Sequence, residues 1–166
     1  INGFNSLITR VPGKKILVVF LNNTGGAPLG PMTVSILGIL FGKPHGPATR
    51  PLAEVLREMI GTSGIEVAVS RFMELRTNKN EYSLSESQMN ALGYEYLQEK
   101  KLKEAIAVLK LNVEAYPKSS NVYDSLGEAY AEAGEKELAI KNYEKSLELD
   151  PKSQSGIDAL KKLKAQ

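Results

Sequence analysis

Polar and apolar positions divide the chain into a front part with strand-like runs and a longer part with helical spacing. Apolar residues on both sides of a Pro-Gly-Lys turn at 12–14 predict a β-hairpin that pairs residues 3–11 with 15–22. The second run is almost wholly apolar, which is typical of a strand covered on both faces. Beyond it, apolar spacing predicts a short helix near 28–41, and the composition of 42–47 is that of a linker.

From Pro51 onward the apolar spacing is helical throughout. Two stripes predict a pair of helices separated by a turn at Gly61-Thr62-Ser63-Gly64. Residues 77–84 form a polar connection, and Ser85 with Gln88 three residues later predicts a capping box for the next helix. The stripes consist of Leu52, Val55, Leu56 and Met59, followed by Val67, Ala68, Phe72 and Leu75.

An internal repeat with a period of about 34 residues is the strongest signal in the sequence. Glycine inside a helix costs about 1 kcal/mol relative to alanine. We therefore expect the backbones of paired helices to touch at the two repeated glycines, with the repeated alanines as their small partners on the second helix. The repeated prolines end that helix. The first copy has Leu92, Gly93, Tyr96, Ala105 and Pro117, and the second has Leu126, Gly127, Tyr130, Ala139 and Pro151.

This pattern of Leu-Gly-x-x-Tyr, Ala nine residues later and Pro twelve beyond it closely resembles the tetratricopeptide repeat. The resemblance implies a mainly α fold, a right-handed superhelix of antiparallel helix pairs, with repeats at about 86–119 and 120–153. A third copy begins, but Lys161 stands in the place of Gly127, which predicts a polar capping helix at the C-terminal end. The pair at 51–76 lacks the motif, and we expect it to be a degenerate repeat that docks on the first.

Residues 1–42 carry a second resemblance. Asn-Gly-Phe-Asn-Ser at 2–6, two strands and a helix resemble the C-terminal end of the serine beta-lactamase and penicillin-binding protein-like hydrolases. The resemblance implies a fragment of an α/β domain and an extracytoplasmic protein, either periplasmic or secreted. The family's Ser-x-x-Lys and Tyr-x-Asn motifs do not occur in the sequence, and His45-Gly46-Pro47 lacks the second glycine of its strand motif. We therefore expect no catalysis by this chain alone, and the alternative is that it is the tail of such a hydrolase.

Composition narrows the classes of chemistry further. The 166 residues include one His and no Cys, which excludes disulfides, thiol catalysis and thiolate metal sites. His45 alone supports neither a zinc site nor Ser-His catalysis, so we predict no metal site and no cofactor. A net charge of +2 gives no reason to expect nucleic acid. The uncharged stretch at 16–42 is broken by Asn, Gly and Pro, so we expect a soluble protein without a membrane-spanning helix.

The resemblance to tetratricopeptide repeats implies a concave groove, lined by the first helix of each pair, that binds a protein or peptide. Acidic residues at three groove positions would repel a carboxylate, so we expect a basic or polar partner and not an acidic C-terminus. The alternative is that these side chains are a solvated surface on a spacer. The candidate groove residues are Asn90, Tyr94, Gln98, Asn121, Asp124, Glu128, Ala131, Asp158 and Lys162.

Taken together, the patterns predict three segments. Residues 1–46 form the hairpin and helix, 47–80 the degenerate helix pair, and 81–166 the two repeats with the capping helix. A hairpin with open edges invites another strand, so we expect residues 1–46 to pack on the repeats, to pair within a homo-oligomer, or to exchange a strand with another copy. The predicted function is a protein–protein interaction module within a larger protein.

Overall fold

The computed structural model describes residues 5–22, 29–43 and 49–165 and divides into two compact units, Ile1–Pro47 and Ala48–Gln166. The fold is mainly helical, as predicted, with a small hairpin in the first unit. The predicted start of the hairpin at 3–4 and the linker residues 44–47, with His45, lie outside the described residues. Within the part that is described, no helix is long and apolar enough to cross a bilayer.

The first unit is built on the predicted hairpin. β1 (Asn5–Val11) pairs antiparallel with β2 (Ile16–Asn22) in a register that places Asn5 opposite Asn22, and a single 3₁₀ turn at Pro12–Lys14 joins them. Lys15 closes the turn with a φ of 54°. The side-chain amide of Asn22 donates to Asn5 Oδ1 at 3.1 Å, which fastens the open end of the hairpin.

The prediction that β2 is covered on both faces is wrong. Leu17, Val19 and Leu21 are 60%, 47% and 84% exposed, whereas the residues that alternate with them are partly buried. Alternating residues of a strand point to opposite faces, so only one face of the hairpin is covered. α1 (Leu29–Leu40), close to the predicted 28–41, packs against β1.

In the second unit, α2 (Leu52–Ser63) and α3 (Ile65–Leu75) form the predicted helix pair. The predicted turn at 61–64 is wrong in extent, because α2 continues through Gly61 and only Gly64, with a φ of 84°, breaks the helix. The buried residues of α3 are Ile65, Ala68 and Phe72, which lie on one face of the helix. Ile65 is buried, whereas Val67, expected in the apolar stripe, is 46% exposed.

The connection at 77–84, expected to be merely polar, also contains a strand pairing. β3 (Arg50–Pro51) and β4 (Tyr82–Ser83) pair in parallel, and the Arg50 amide donates to the Glu81 carbonyl at 2.8 Å. These contacts tie the start of α2 to the start of the repeat region.

The α2–α3 pair docks on the first predicted repeat, as expected. That repeat consists of α4 (Glu86–Gln98) and α5 (Leu102–Ala115), and α2 packs on α4 while α3 packs on α5. Ion pairs between Arg57 and Glu95 and between Lys103 and Glu66 span the two junctions. The fully buried side chains of this core include Leu52, Leu56, Phe72, Met89, Leu92, Val108 and Leu109.

The second predicted repeat consists of α6 (Ser120–Glu132) and α7 (Lys136–Leu149), and α8 (Gln154–Ala165) packs on α7 at the position of the predicted cap. The prediction of a capping box is wrong. Ser85 does hold the N-cap position of α4, but its side chain caps no backbone amide, and its hydroxyl instead lies 3.0 Å from the Ser87 hydroxyl.

The two repeated glycines are buried, but what approaches them differs from the prediction. A Cβ on Gly93 would lie 2.6 Å from Cγ and Cδ2 of Leu109, and a Cβ on Gly127 would lie 3.1–3.2 Å from the ring of Tyr143. The expectation that helix backbones touch there is therefore wrong. In each pair a large side chain of the second helix occupies the space that the missing Cβ leaves.

The turns between paired helices repeat the same backbone conformation with different residues. Lys100 follows α4 with a φ of 58°, and Gly134, at the equivalent position of the second repeat, follows α6 with a φ of 78°. In both turns the next amide donates at 2.9 Å to a carbonyl five residues back, at Tyr96 and Tyr130. The left-handed conformation is strained for lysine and unstrained for glycine.

Candidate functional site

A groove of about 510 Å³ opens where α6, α7 and α8 meet. Its walls combine carboxylates from one helix with a lysine and apolar side chains from another. α6 contributes Asp124, Glu128, Ala131 and Glu132, α7 contributes Tyr143, and α8 contributes Ser155, Ala159, Lys162 and Leu163.

The structure brings four of the nine predicted groove residues into this groove: Asp124, Glu128, Ala131 and Lys162. The other five do not line it. Tyr94 lies beside the groove and donates a hydrogen bond to Glu128. Gln98 is exposed at the end of α4, and Asn90 is partly buried with its Oδ1 unpaired among the described residues. The side chain of Asn121 donates to Glu86, and that of Asp158 accepts from Gln154.

Asp124 carries a partly buried carboxylate with few partners. Its Oδ1 is shielded from solvent and accepts no hydrogen bond from any described residue, while its Oδ2 lies 3.4 Å from the Ser155 hydroxyl. Burial raises the pKa of the Asp124 carboxyl, the Ser155 hydroxyl opposes this, and the charge of Glu128 adds to it. The negative charge at this end of the groove is therefore poorly compensated by the protein.

Glu128 is held in place by the preceding repeat. The hydroxyl of Tyr94 on α4 donates to Glu128 Oε2 at 2.6 Å, across a separation of 34 residues. Burial raises the pKa of Tyr94 to about 12, and the hydrogen bond to Glu128 contributes to the same shift. This bond orients the carboxylate at the groove and joins the two repeats.

Tyr143 and Lys162 complete the electrostatic description. Tyr143 is 5% exposed and packs its ring over Gly127, and burial, followed by the charges of Glu128 and Asp124, raises its pKa. Lys162 is exposed on α8, and none of the ion pairs among the described residues includes it. The groove therefore has a negative wall on α6 that its own lysine does not pair with.

Several residues of the groove were missed by the sequence analysis. Tyr143, Glu132 and Ser155 line the groove but are not among the predicted groove residues. Gly156, which is buried in α8, was also missed. A Cβ there would lie 3.2 Å from Asp124 Oδ1, so this glycine allows α8 to approach α6 and close the groove. A glycine inside the predicted capping helix is the one feature of the sequence that could have indicated this close approach of α8 to α6.

A second groove of about 570 Å³ is lined by residues of α5, α6 and α7. Val113, Tyr123, Leu126, Tyr130 and Leu138 form its apolar part, and three lysines and three glutamates surround them. Because these charges balance, this groove favours neither sign of ligand. Within the described residues, no three His, Asp or Glu side chains are arranged to hold a metal ion.

Comparison with known proteins supports the repeat assignment. Residues 89–119 and 120–153 each match a family model described as tetratricopeptide repeat. The solved structure of the MamA R50E mutant is similar, with a TM-score of 0.52 and 22% identity over 69% of this chain and 82% of that one. No curated protein matches the sequence.

Two further solved structures have TM-scores of 0.48 and 20% identity over 69% of this chain. They are the first TPR domain of human RPAP3, covered over 87%, and the first TPR of Spaghetti (RPAP3) bound to the HSP90 peptide SRMEEVD, covered over 88%.

The two family-model matches confirm the predicted tetratricopeptide repeats, and the first helix of the first repeat begins at Glu86. Neither family model covers residues 1–88. The resemblance of 1–42 to serine hydrolases therefore has no support from them and stays a prediction, as does the description of 51–76 as a degenerate repeat.

Proposed function

We propose that the two tetratricopeptide repeats and α8 bind a protein or peptide in the groove between α6 and α8. Tetratricopeptide repeats are protein–protein interaction modules, and residues 89–153 contain two of them. The observation that carries the proposal is the groove itself, which four residues predicted from the repeat register line together.

The charges of the groove limit the class of partner. Of the three carboxylates that α6 contributes to the groove, Glu132 is paired with Lys100, while Asp124 and Glu128 have no ion pair among the described residues. A peptide that ended in a carboxylate, or that was rich in acidic residues, would bring like charges together in a partly dehydrated groove. A basic or polar segment is therefore the expected partner.

Selection from a phage-displayed library of random peptides tests this function. Ala131 is partly buried in the groove, so Ala131→Arg is expected to fill it and lower the affinity of the selected peptides by about tenfold or more. The matched control is Ala91→Arg, at an exposed position of α4 outside this groove. Equal binding by wild type and Ala131→Arg, with both folded by circular dichroism, would contradict the proposal.

The alternative, a tail of a serine hydrolase, also stays a proposal. What supports it is the order of elements in the first unit, a hairpin followed by a helix, which matches the order that the resemblance implies. An extracytoplasmic location depends on the same resemblance. Ser-x-x-Lys and Tyr-x-Asn motifs in the coding sequence upstream of Ile1 would support it, and nitrocefin turnover by the present chain would contradict the expectation that it lacks catalysis.

Self-association through the hairpin stays a separate proposal. Light scattering after size-exclusion chromatography tests it, and a monomer at all concentrations would remove both the homo-oligomer and the strand exchange.

A further inference from the structure

We propose that the groove between α6 and α8 holds one basic side chain of its peptide partner, a lysine or arginine, with the cationic head against Asp124 and Glu128. The proposal rests on the function proposed above and specifies which chemical group anchors the ligand. It concerns the α6–α8 groove and not the balanced groove lined by Tyr123 and Leu138.

The first support is the state of the two carboxylates. Asp124 Oδ1 packs against Gly156 without a hydrogen bond from any described residue, and Oδ2 has only the Ser155 hydroxyl at 3.4 Å. Glu128 has one oxygen engaged by Tyr94. A neutral hydroxyl donor leaves a carboxylate charged, and a partly buried charge is stabilised most by an opposite charge.

The second support is the shape and lining of the cavity, which do not depend on these charges. Its volume of about 510 Å³ falls within the range of about 300–1,000 Å³ that is typical of ligand pockets. Ala131, Ala159 and Leu163 give it apolar walls next to the carboxylates. Lysine and arginine carry an aliphatic stem below a cationic head, and this combination matches an apolar wall that leads to an acidic end.

Two other cations are less suitable. A divalent metal would need further ligands, and among the described residues no three His, Asp or Glu side chains are arranged to hold one. Glu132, the third carboxylate of the groove, is paired with Lys100. Lys162 lines the same groove and could itself neutralise the carboxylates, but it makes no ion pair with either of them in the described structure. The opposite wall therefore leaves the acidic wall available to a ligand.

The experiment uses the full chain and the peptides selected above. Wild-type protein is expected to enrich peptides with a basic residue at one position. Replacing that residue with glutamine should weaken binding to wild type by about 10- to 100-fold in calorimetry, as expected for a charge-assisted contact. Against Asp124→Asn, the advantage of the basic peptide should fall by at least about threefold, and against Asp124→Asn/Glu128→Gln the two peptides should bind within about twofold of each other.

Two variants act as controls. Asp158→Asn makes the same chemical change on α8 outside the groove, where the side chain accepts from Gln154, and it should leave the preference intact. Lys162→Gln removes a competing cation, so the affinity for the basic peptide should stay constant or rise by up to about fivefold. A tenfold loss in Lys162→Gln would instead indicate an acidic ligand and would overturn the proposal.

The remaining outcomes also decide. Selected peptides that lack a basic preference, or a preference that Asp124→Asn does not change, overturn the cationic anchor while leaving peptide binding in place. If every peptide that wild type selects also binds Ala131→Arg equally well, or if wild type selects none, the proposed function is wrong. The proposed contact with a basic side chain is then wrong as well.

Discussion

The two repeats share one register and nearly identical helix lengths, yet they differ in what fills them. In the first, Leu109 covers Gly93 and is fully buried within a core that includes leucine, valine and methionine side chains. In the second, Tyr143 covers Gly127 and also lines an open, acidic groove. The shared spacing thus sets the path of the backbone, and the side chains at equivalent positions decide whether a repeat supports the fold or offers a binding surface.

The groove also depends on both repeats together. Positions 94, 128 and 162 are equivalent in the register, and they hold tyrosine, glutamate and lysine. The tyrosine of the first repeat donates to the glutamate of the second, and the lysine of α8 stands on the opposite wall. The polar side chains of the site therefore come from α4, α6 and α8, and no single repeat contains all of them.

The largest expected difference between the repeats concerns the glycines. Gly93→Ala should lower the free energy of unfolding by about 1–3 kcal/mol, because its Cβ would overlap fully buried Leu109 by more than the gain in helix propensity offsets. Gly127→Ala should cost less, because the ring of Tyr143 lies 3.1–3.2 Å from the new Cβ and borders a groove. Urea denaturation monitored by circular dichroism measures both.

Two additions sharpen this test. In a Leu109→Ala background the overlap is removed, so Gly93→Ala should cost less there, and a double-mutant cycle reports the difference. Gly61→Ala is the control, since no atom lies within 4 Å of its Cβ position, and it should stabilise by up to about 1 kcal/mol. Equal costs at 93 and 127 would refute the contrast between the two pairs.

The turns between paired helices give the next largest difference. Gly134→Ala should lower the free energy of unfolding by about 1 kcal/mol, because its φ of 78° is unfavourable for a residue with a Cβ. Lys100→Gly at the equivalent position should raise it by a smaller amount, since glycine removes the strain but has a more flexible unfolded chain. Thermal unfolding of the two variants and wild type shows whether each substitution lowers or raises stability.

Lys100 also pairs with Glu132 at 3.1 Å on the surface, and loss of this pair would offset part of the stabilisation expected for Lys100→Gly. Glu132→Gln removes the pair without touching the turn, and exposed pairs contribute at most about 1 kcal/mol. A destabilised Lys100→Gly in the Glu132→Gln background would contradict the strain explanation.

The smallest expected effect concerns the bond between the repeats. Tyr94→Phe should lower the free energy of unfolding by about 0.5–1.5 kcal/mol through loss of the hydrogen bond to Glu128. The pKa of Tyr94 is raised from 10.0 to about 12 in the folded protein. The contribution of the protonated Tyr94 hydroxyl to the free energy of unfolding is therefore complete below pH 10 and is lost as the pH rises through about 12. The stability difference between wild type and Tyr94→Phe, measured at several alkaline pH values, should shrink over that interval.

Tyr123→Phe is the matched control. The hydroxyl of Tyr123 donates to the Pro117 carbonyl at 3.3 Å in an exposed position, so its loss should cost less than about 0.5 kcal/mol. If Tyr123→Phe lowers the free energy of unfolding as much as Tyr94→Phe does, the hydrogen bond between the repeats contributes no more than an exposed one.

The repeat architecture was predictable because glycine, alanine and proline restrict a helix pair at fixed positions. Gly93, Ala105 and Pro117, with their counterparts in the second repeat, were sufficient to locate four helices and their order. The hairpin followed from the turn at 12–14 by similar local reasoning. In all these cases a local backbone preference agrees with the final structure.

The groove was only partly predictable, because it depends on contacts between residues distant in sequence. The repeat register identified which side chains leave the first helices on one face, but not that α8 closes over Asp124 through Gly156. Nor did it show that the Tyr94 hydroxyl donates to Glu128. The predictions of a covered strand and of a buried Val67 failed for the same reason, since burial is decided by neighbours that a local pattern does not contain.

Lys161 breaks the glycine pattern of the repeats. It occupies on α8 the position that Gly127 has on α6, where the aromatic ring of the partner helix needs the absence of a Cβ. A further helix placed against α8 as α7 is placed against α6 would meet the aliphatic stem of this lysine and bury its ammonium group. The lysine at this position therefore disfavours, on α8, the close packing that Gly127 allows between α6 and α7.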